Sequence, residues 1–200
     1  MTASRDIAIV LGSPTPPGRL YSAIGWLMQE AEADEGTFKP WLIDLRELGP
    51  LLVDGRPPEA YGDAVAEAVH GVKEAAGVIL VSPIFRASYT GLLKDFLDLL
   101  PVDALMSKPV GIVGMGASRE HFLALESQLR PMLAWFGCLT LPIAAYLRND
   151  HFVDGQLGEE GRAELVGLYS YLTRLTSVLP DDLEATPMPQ AARYLKPAKA

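Results

Sequence analysis

The sequence predicts an open α/β domain: a doubly wound, five-stranded parallel sheet with helices on both faces. Two observations carry this. Short apolar, β-prone runs alternate with longer stretches of helical periodicity from end to end of the chain. Two of those runs, residues 6–11 (DIAIVL) and 78–81 (VILV), are apolar at nearly every position, as strands buried on both faces are. Right-handed crossovers between such strands suit the order 2-1-3-4-5.

The elements follow in order. After the first strand come Gly12-Ser13-Pro14-Thr15-Pro16-Pro17-Gly18-Arg19 and a helical pattern over about 20–33. Residues 38–43 (FKPWLI) are the second strand; Pro40 cannot donate to a ladder, which puts this strand at a sheet edge. Residues 44–58 are a Gly- and Pro-rich loop, and 59–76 a helix. The third strand, 78–81, ends at Ser82-Pro83, because Pro83 lacks an N–H and holds Ser82 extended. Gly91 opens a helix to Leu100 with Leu92, Leu93, Phe96, Leu97 and Leu100 on one side. Residues 109–113 are the fourth strand, 119–136 a helix bent at Pro131, 140–146 the fifth strand and 158–178 a last helix. The domain thus spans 1–179, and the Pro-rich residues 180–200 form an extended arm or tail. Leu183, Met188, Tyr194 and Leu195 space its apolar anchors irregularly, as in a strap lying across a neighbouring subunit.

Composition excludes several functions. A net charge of −8 argues against general nucleic-acid binding, which needs a basic face. No run of eighteen apolar residues is present to cross a membrane, and the N-terminus lacks the basic region and cleavage site of a secretory signal, so the chain reads as cytoplasmic. The single cysteine, Cys138, allows neither an intramolecular disulfide nor a thiolate metal cluster, and its neighbours Phe136, Leu139 and Leu141 suggest a plain buried thiol. His70 lies in an Ala/Val helix, His121 near the fourth strand's loop, and His151 in a polar, exposed-looking loop. There is no HExxH, no Ser–His–Asp ordering, and no carboxylate pair marked out for acid–base work. The chemistry is best assigned to a cofactor.

Strands one, three and four lie side by side in the predicted order, so their carboxyl-end loops converge, where open α/β sheets bind ligands. Loop one, 12–19, runs into a helix N-terminus. Ser13 and Thr15 offer hydroxyls there and Arg19 a guanidinium, which suits a phosphate but is not a Walker A loop. Loop two, 82–90, carries Phe85 and the hydroxyls of Ser82, Ser88, Tyr89 and Thr90, which can equally cap the next helix. Loop three, Gly114-Met115-Gly116-Ala117-Ser118, has two glycines that let a flat ligand approach the backbone.

Over residues 6–150 the chain resembles the NAD(P)H-dependent FMN reductase family of flavodoxin-like proteins. It looks closest to the branch that supplies reduced FMN to two-component monooxygenases in sulfonate assimilation. The resemblance is carried by Ser82, Pro83, Ser88, Gly91, Leu93 and Lys94, by Leu99-Leu100-Pro101, and by Gly12-Ser13-Pro14 with Arg19 at the basic position. Phe85 departs from the usual Tyr, Leu20 and Tyr21 stand where many members have Ser, and loop three replaces a Thr-Gly-Gly-type turn. Ser127 sits where some flavin-releasing members carry an inserted Tyr. The resemblance implies hydride transfer from NADPH or NADH to FMN, with flavin N5 taking the hydride and no catalytic side chain. It implies that Ser13, Arg19 and Ser22 bind the FMN phosphate, that Pro83, Ile84, Phe85 and Arg86 line the ribityl chain and ring edge, and that Gly114, Met115, Gly116 and Ala117 hold the pyrimidine end. It further implies a homodimer or homotetramer, assembled beside the flavin through an apolar surplus on Phe96, Leu97, Leu99 and Leu100, and a monooxygenase partner. The alternatives are a reductase that retains FMN and passes electrons to a quinone, azo dye or metal oxyanion, and a flavodoxin-type electron carrier.

Overall fold

A computed structural model describes residues 6–33, 38–180 and 183. The strands are β1 (Asp6–Leu11), β2 (Lys39–Asp44), β3 (Gly77–Pro83), β4 (Pro109–Met115), β5 (Leu139–Thr140) and β6 (Ala145–Leu147). They form one parallel sheet in the order β2-β1-β3-β4-β5, with β6 also paired to β4. This is the predicted doubly wound, flavodoxin-like order. Pro40 lies on β2, at the sheet edge, in register with Ile7 of β1.

Side-chain alternation sends each strand's residues into two cores. Ile7, Ile9 and Leu11 of β1, with Ile79 and Val81 of β3, pack under α1 (Arg19–Ala33) and α6 (Glu159–Val178). Val10, Leu80 and Ile112 face the other way, under α3 (Asp63–Glu74), α4 (Gly91–Leu99) and α5 (Arg130–Trp135). The α4 face is wholly used in this second core: Phe96, Leu97, Leu99 and Leu100 are at most 6% exposed. The surplus apolar surface expected there is absent, because these side chains are taken up by the core that α4 shares with the sheet and α2 (Leu45–Leu48).

Several predicted elements break where the backbone demands it. The loop after β2 contains a one-turn helix, α2 (Leu45–Leu48), because the Asp44 carboxylate accepts from the Arg46 N–H at 3.1 Å and Leu45 is buried beneath. The helix expected over 59–76 is a 3₁₀ turn, Pro58–Tyr61, then α3; Gly62 separates them at φ 110°, which an L-residue rarely adopts. The helix expected over 119–136 is a 3₁₀ turn (Arg119–Phe122), a π segment (Leu125–Leu129) and α5. Pro131, second in α5, has no N–H for the carbonyl four residues back, and the ladder widens just before it. The fifth strand is interrupted between Thr140 and Ala145, where Pro142 falls. A hairpin of β7 (Phe152–Val153) and β8 (Gln156–Leu157) precedes α6, turning through Asp154 and Gly155 at φ 51° and 78°. Residues 181–182 and 184–200 of the expected arm lie outside the described residues. Among those described, no helix is long and apolar enough to cross a membrane.

At the amino end of the sheet, Lys108 reaches from the start of β4 to the end of α3. Its Nζ donates to the carbonyls of Val72 and Lys73, each at 2.7 Å, which caps that helix. Burial pushes its ammonium down from 10.5 to about 8. Between those two values the unfolded chain holds more protons than the folded one, so this group makes stability rise with pH through that window, by on the order of 2–3 kcal/mol. Denaturant midpoints of the native protein should therefore climb between pH 8 and 10, and Lys108→Met should flatten that climb.

Candidate functional site

The three loops meet at the carboxyl ends of β1, β3 and β4. One residue ties two of them. Thr90, 2% exposed and N-cap of α4, accepts from the Leu93 N–H at 3.2 Å and donates its hydroxyl to the Gly12 carbonyl at 2.5 Å. Its own N–H donates at 3.0 Å to the Ser82 hydroxyl, itself fully buried and donating to the Pro83 carbonyl. The Gly12 N–H goes to Val81, and a Cβ on Gly12 would stand 2.7 Å from the Leu93 Cβ, so only glycine lets loop one lie against α4.

Beyond Gly12, loop one turns outward. Ser13 is buried, with its Oγ 3.1 Å from the Thr15 Oγ1; residues 14–19 are exposed. The Arg19 guanidinium sits 5.7 Å from the Phe152 ring centroid, and Ser22 is exposed one turn further along α1. No carboxylate occurs between residues 12 and 29. Hydroxyls, a guanidinium and a helix N-terminus without acid competition suit a phosphate. Pro14, Pro16 and Pro17 remove backbone donors, so the grip leans on side chains.

Loop two is pinned to loop three by the Ile84 N–H, which donates to the Met115 carbonyl at 2.8 Å. Phe85 and Ser88 then exchange backbone bonds at 2.8 and 3.0 Å around a tight turn. Its two central residues, Arg86 and Ala87, have φ of 51° and 58°, a left-handed pair normally filled by Asn or Gly. Such non-glycine positions cost about 1–3 kcal/mol each, and they persist where surrounding structure enforces them. The turn holds Phe85 44% exposed at the rim, a flat surface for a planar ring.

Loop three departs from expectation. A Cβ on Gly114 would lie 2.4 Å from the Leu125 Cδ1, and one on Gly116 would lie 2.2 Å from the Tyr146 Oη. These glycines make room for the chain's own side chains, which a ligand therefore does not need them to vacate. The Gly116 N–H is committed to the Leu147 carbonyl at 3.1 Å, and Tyr146 donates to the Ser118 carbonyl at 2.7 Å. Ala117 is exposed, while Met115 is half-buried against the core under α1 and α6.

Pro83, Ile84, Phe85, Arg86, Gly114, Met115, Gly116 and Ala117 are thus joined along one edge, with Ser13, Arg19 and Ser22 at the head of α1 beside it. His121 lies at loop three, its Cβ 3.0 Å from where a Gly116 Cβ would stand, whereas His70 is exposed on α3. His151 corrects the sequence reading: it is 2% exposed, beneath Gly158 and Gly161, with its Nε2 3.5 Å from Glu160. Cys138 is half-buried, as a structural thiol is, and burial pushes its titration up. Two partners escaped the sequence reading, Phe152 beneath Arg19 and Tyr146 beneath Gly116. The Asp-Gly pair at 154–155 was the one signal for the hairpin that places Phe152.

A family profile described as NADPH-dependent FMN reductase matches residues 5–152. The chain is 39% identical over 158 residues to an FMN reductase (NADPH) of Pseudomonas aeruginosa, covering 76% of this chain and 81% of that one. It is 28% identical over 168 residues to the NADH-dependent FMN reductase SfnE of Pseudomonas putida, covering 84% and 90%. An NAD(P)H-dependent FAD/FMN reductase of Geobacillus thermodenitrificans is 33% identical over 111 residues; that match covers 56% of this chain and only 60% of the relative's length. Among solved structures, an apo NADH:FMN oxidoreductase, EMOB, superposes with a TM-score of 0.73 at 26% identity, over 88% of this chain and 92% of that one.

Thr90 is the testable joint of this edge. Thr90→Val leaves the Gly12 carbonyl and Leu93 N–H buried without partners and should cost about 2–4 kcal/mol in urea unfolding, while Thr90→Ser should recover most of it.

Proposed function

The chain belongs to the NADPH-dependent FMN reductase family, and we propose that it binds FMN at the three-loop edge and reduces it with hydride from NADH or NADPH. The observation that carries this is the convergence itself: a carboxylate-free donor cluster at the head of α1, tied through Thr90 to a rim bearing an exposed aromatic. Ser13, Arg19 and Ser22 hold the phosphate. Pro83, Ile84, Phe85 and Arg86 line the ribityl chain and ring edge. With the Gly116 N–H engaged to Leu147, the pyrimidine end rests on Met115 and Ala117. When bound, FMN supplies the hydride-accepting centre at N5, so the chain's task is to stack two rings and exclude water rather than to supply a base. Arg86, at the apex of the turn, draws in the anionic nucleotide.

Two finer readings belong with this one. Its prolines leave the phosphate loop poor in backbone donors, which favours FMN that exchanges, hence a reductase that hands reduced FMN to a partner monooxygenase. The protein is a homo-oligomer, and since α4 is spent on the core, its interface uses the exposed apolar side chains Phe122, Leu123, Trp135 and Ile143, each 41–59% exposed.

Steady-state nucleotide oxidation should depend on added FMN and saturate with it. Arg19→Ala should raise the FMN dissociation constant about five- to tenfold, less than a buried pair would because the guanidinium is exposed. Oxidation indifferent to FMN, or an unchanged constant in the variant, rejects this reading.

A further inference from the structure

Ser13, Arg19 and Ser22 all lie at the head of α1, yet one contact there comes from a distant part of the chain. Arg19, Ser22 and Trp26 fall on one face of α1, at i, i+3 and i+7. The hairpin of β7 and β8, with the start of α6 behind it, reaches that face twice. The Arg19 guanidinium stands over the Phe152 ring, 5.7 Å from its centroid, and the Arg162 guanidinium over the Trp26 ring at 5.2 Å. Phe152 is held from several sides. Its ring is half-buried against the core under α1 and α6. Its backbone is paired with Leu157 across the hairpin, and the His151 carbonyl before it accepts from the Gly158 N–H at 2.8 Å. The Leu157 carbonyl accepts from the Arg162 Nε at 2.9 Å, so both strands of the hairpin are fixed at their root.

Arg19 is held much less. It is exposed and forms no ion pair with any described residue. The kind of partner it does have matters chemically. A guanidinium carries its N–H donors around the edge of a plane. A carboxylate would occupy that edge and cancel the charge. An aromatic face attracts the cation through the ring quadrupole and leaves both edge and charge in place. The side chain thus gives up rotamer freedom before a ligand arrives, while its donor fork stays available to a phosphate.

We propose that Phe152 is a positioning residue for the flavin phosphate, holding the Arg19 guanidinium so that the protein prefers FMN to riboflavin, the same flavin without its phosphate. The proposal rests on the flavin reading above and goes beyond it, because it assigns that preference to a residue outside the three loops. Phe152 acts through Arg19 and not on the reacting atoms.

The test is flavin binding to the full chain, followed by flavin fluorescence, with FMN and riboflavin as separate probes. The native protein should bind FMN more tightly. Phe152→Leu keeps apolar bulk and removes the aromatic face; it should weaken FMN about threefold and leave riboflavin unchanged. Phe152→Tyr keeps the face and should retain native FMN affinity. In an Arg19→Ala background, Phe152→Leu should weaken FMN no further. Melting temperatures report whether each variant folds, and Phe152→Met takes the place of Phe152→Leu if that one does not. Native FMN affinity in Phe152→Leu, an equal loss of FMN and riboflavin, or a further loss of FMN in the Arg19→Ala background overturns the proposal and leaves the flavin reading standing. Equal binding of FMN and riboflavin by the native protein does the same. A native protein that binds neither flavin overturns the flavin reading, and this assignment with it.

Discussion

A single hydroxyl–carbonyl contact, from Thr90 to Gly12, decides where the functional edge can be. It joins the end of β1 to the start of α4 across 78 residues of sequence, in a region where neither group can reach water. The same side chain closes the first turn of α4, and the Ser82 hydroxyl below fixes the Thr90 backbone. Three orphaned backbone groups are thereby satisfied by two short side chains. Loop one and loop two inherit their positions from this knot, and loop three is added to it by the Ile84–Met115 bond. The outer residues of all three loops can then be polar, proline-rich or strained without loosening the frame.

The strain sits where that frame can bear it. Arg86 and Ala87 take left-handed backbone angles in a turn whose flanks, Phe85 and Ser88, are locked by paired backbone bonds. Asn-Gly would relax the turn, yet it would surrender the guanidinium at the apex. The sequence keeps charge at the rim and accepts the conformational cost, as recognition loops on rigid scaffolds do.

The architecture was legible because it depends on patterns the sequence displays openly. Continuous apolar runs marked β1 and β3, Pro40 marked the edge strand, and Ser82-Pro83 marked the end of the central strand. The convergence of loops one to three followed from strand order alone. What was not legible depends on tertiary neighbours. Gly114 and Gly116 announced backbone freedom but not that Leu125 and Tyr146 fill the space. His151 looked exposed among polar residues, yet the β7–β8 hairpin turns the chain back within ten residues, and Gly158 and Gly161 let the start of α6 close over it. The apolar stripe of α4 could be counted but not allocated between a core and an interface. The long fourth helix broke because a missing donor at Pro131 and the packing of Leu125 and Leu129 favoured a wider turn.

The interruption of the fifth strand has a consequence for how the molecule comes apart. β6 pairs with the sheet over the short register Val113, Gly114 and Met115, with the Gly116 N–H added at its end, and the break between Thr140 and Ala145 severs it from β5. Ile143, in the gap, is 59% exposed and adds little to either core. So short a ladder leaves the side chains to anchor β6: Tyr146 packs into one core, and Ala145 and Leu147 into the other. The wall behind loop three cannot open without uncovering both hydrophobic layers, so it comes apart with the domain rather than ahead of it.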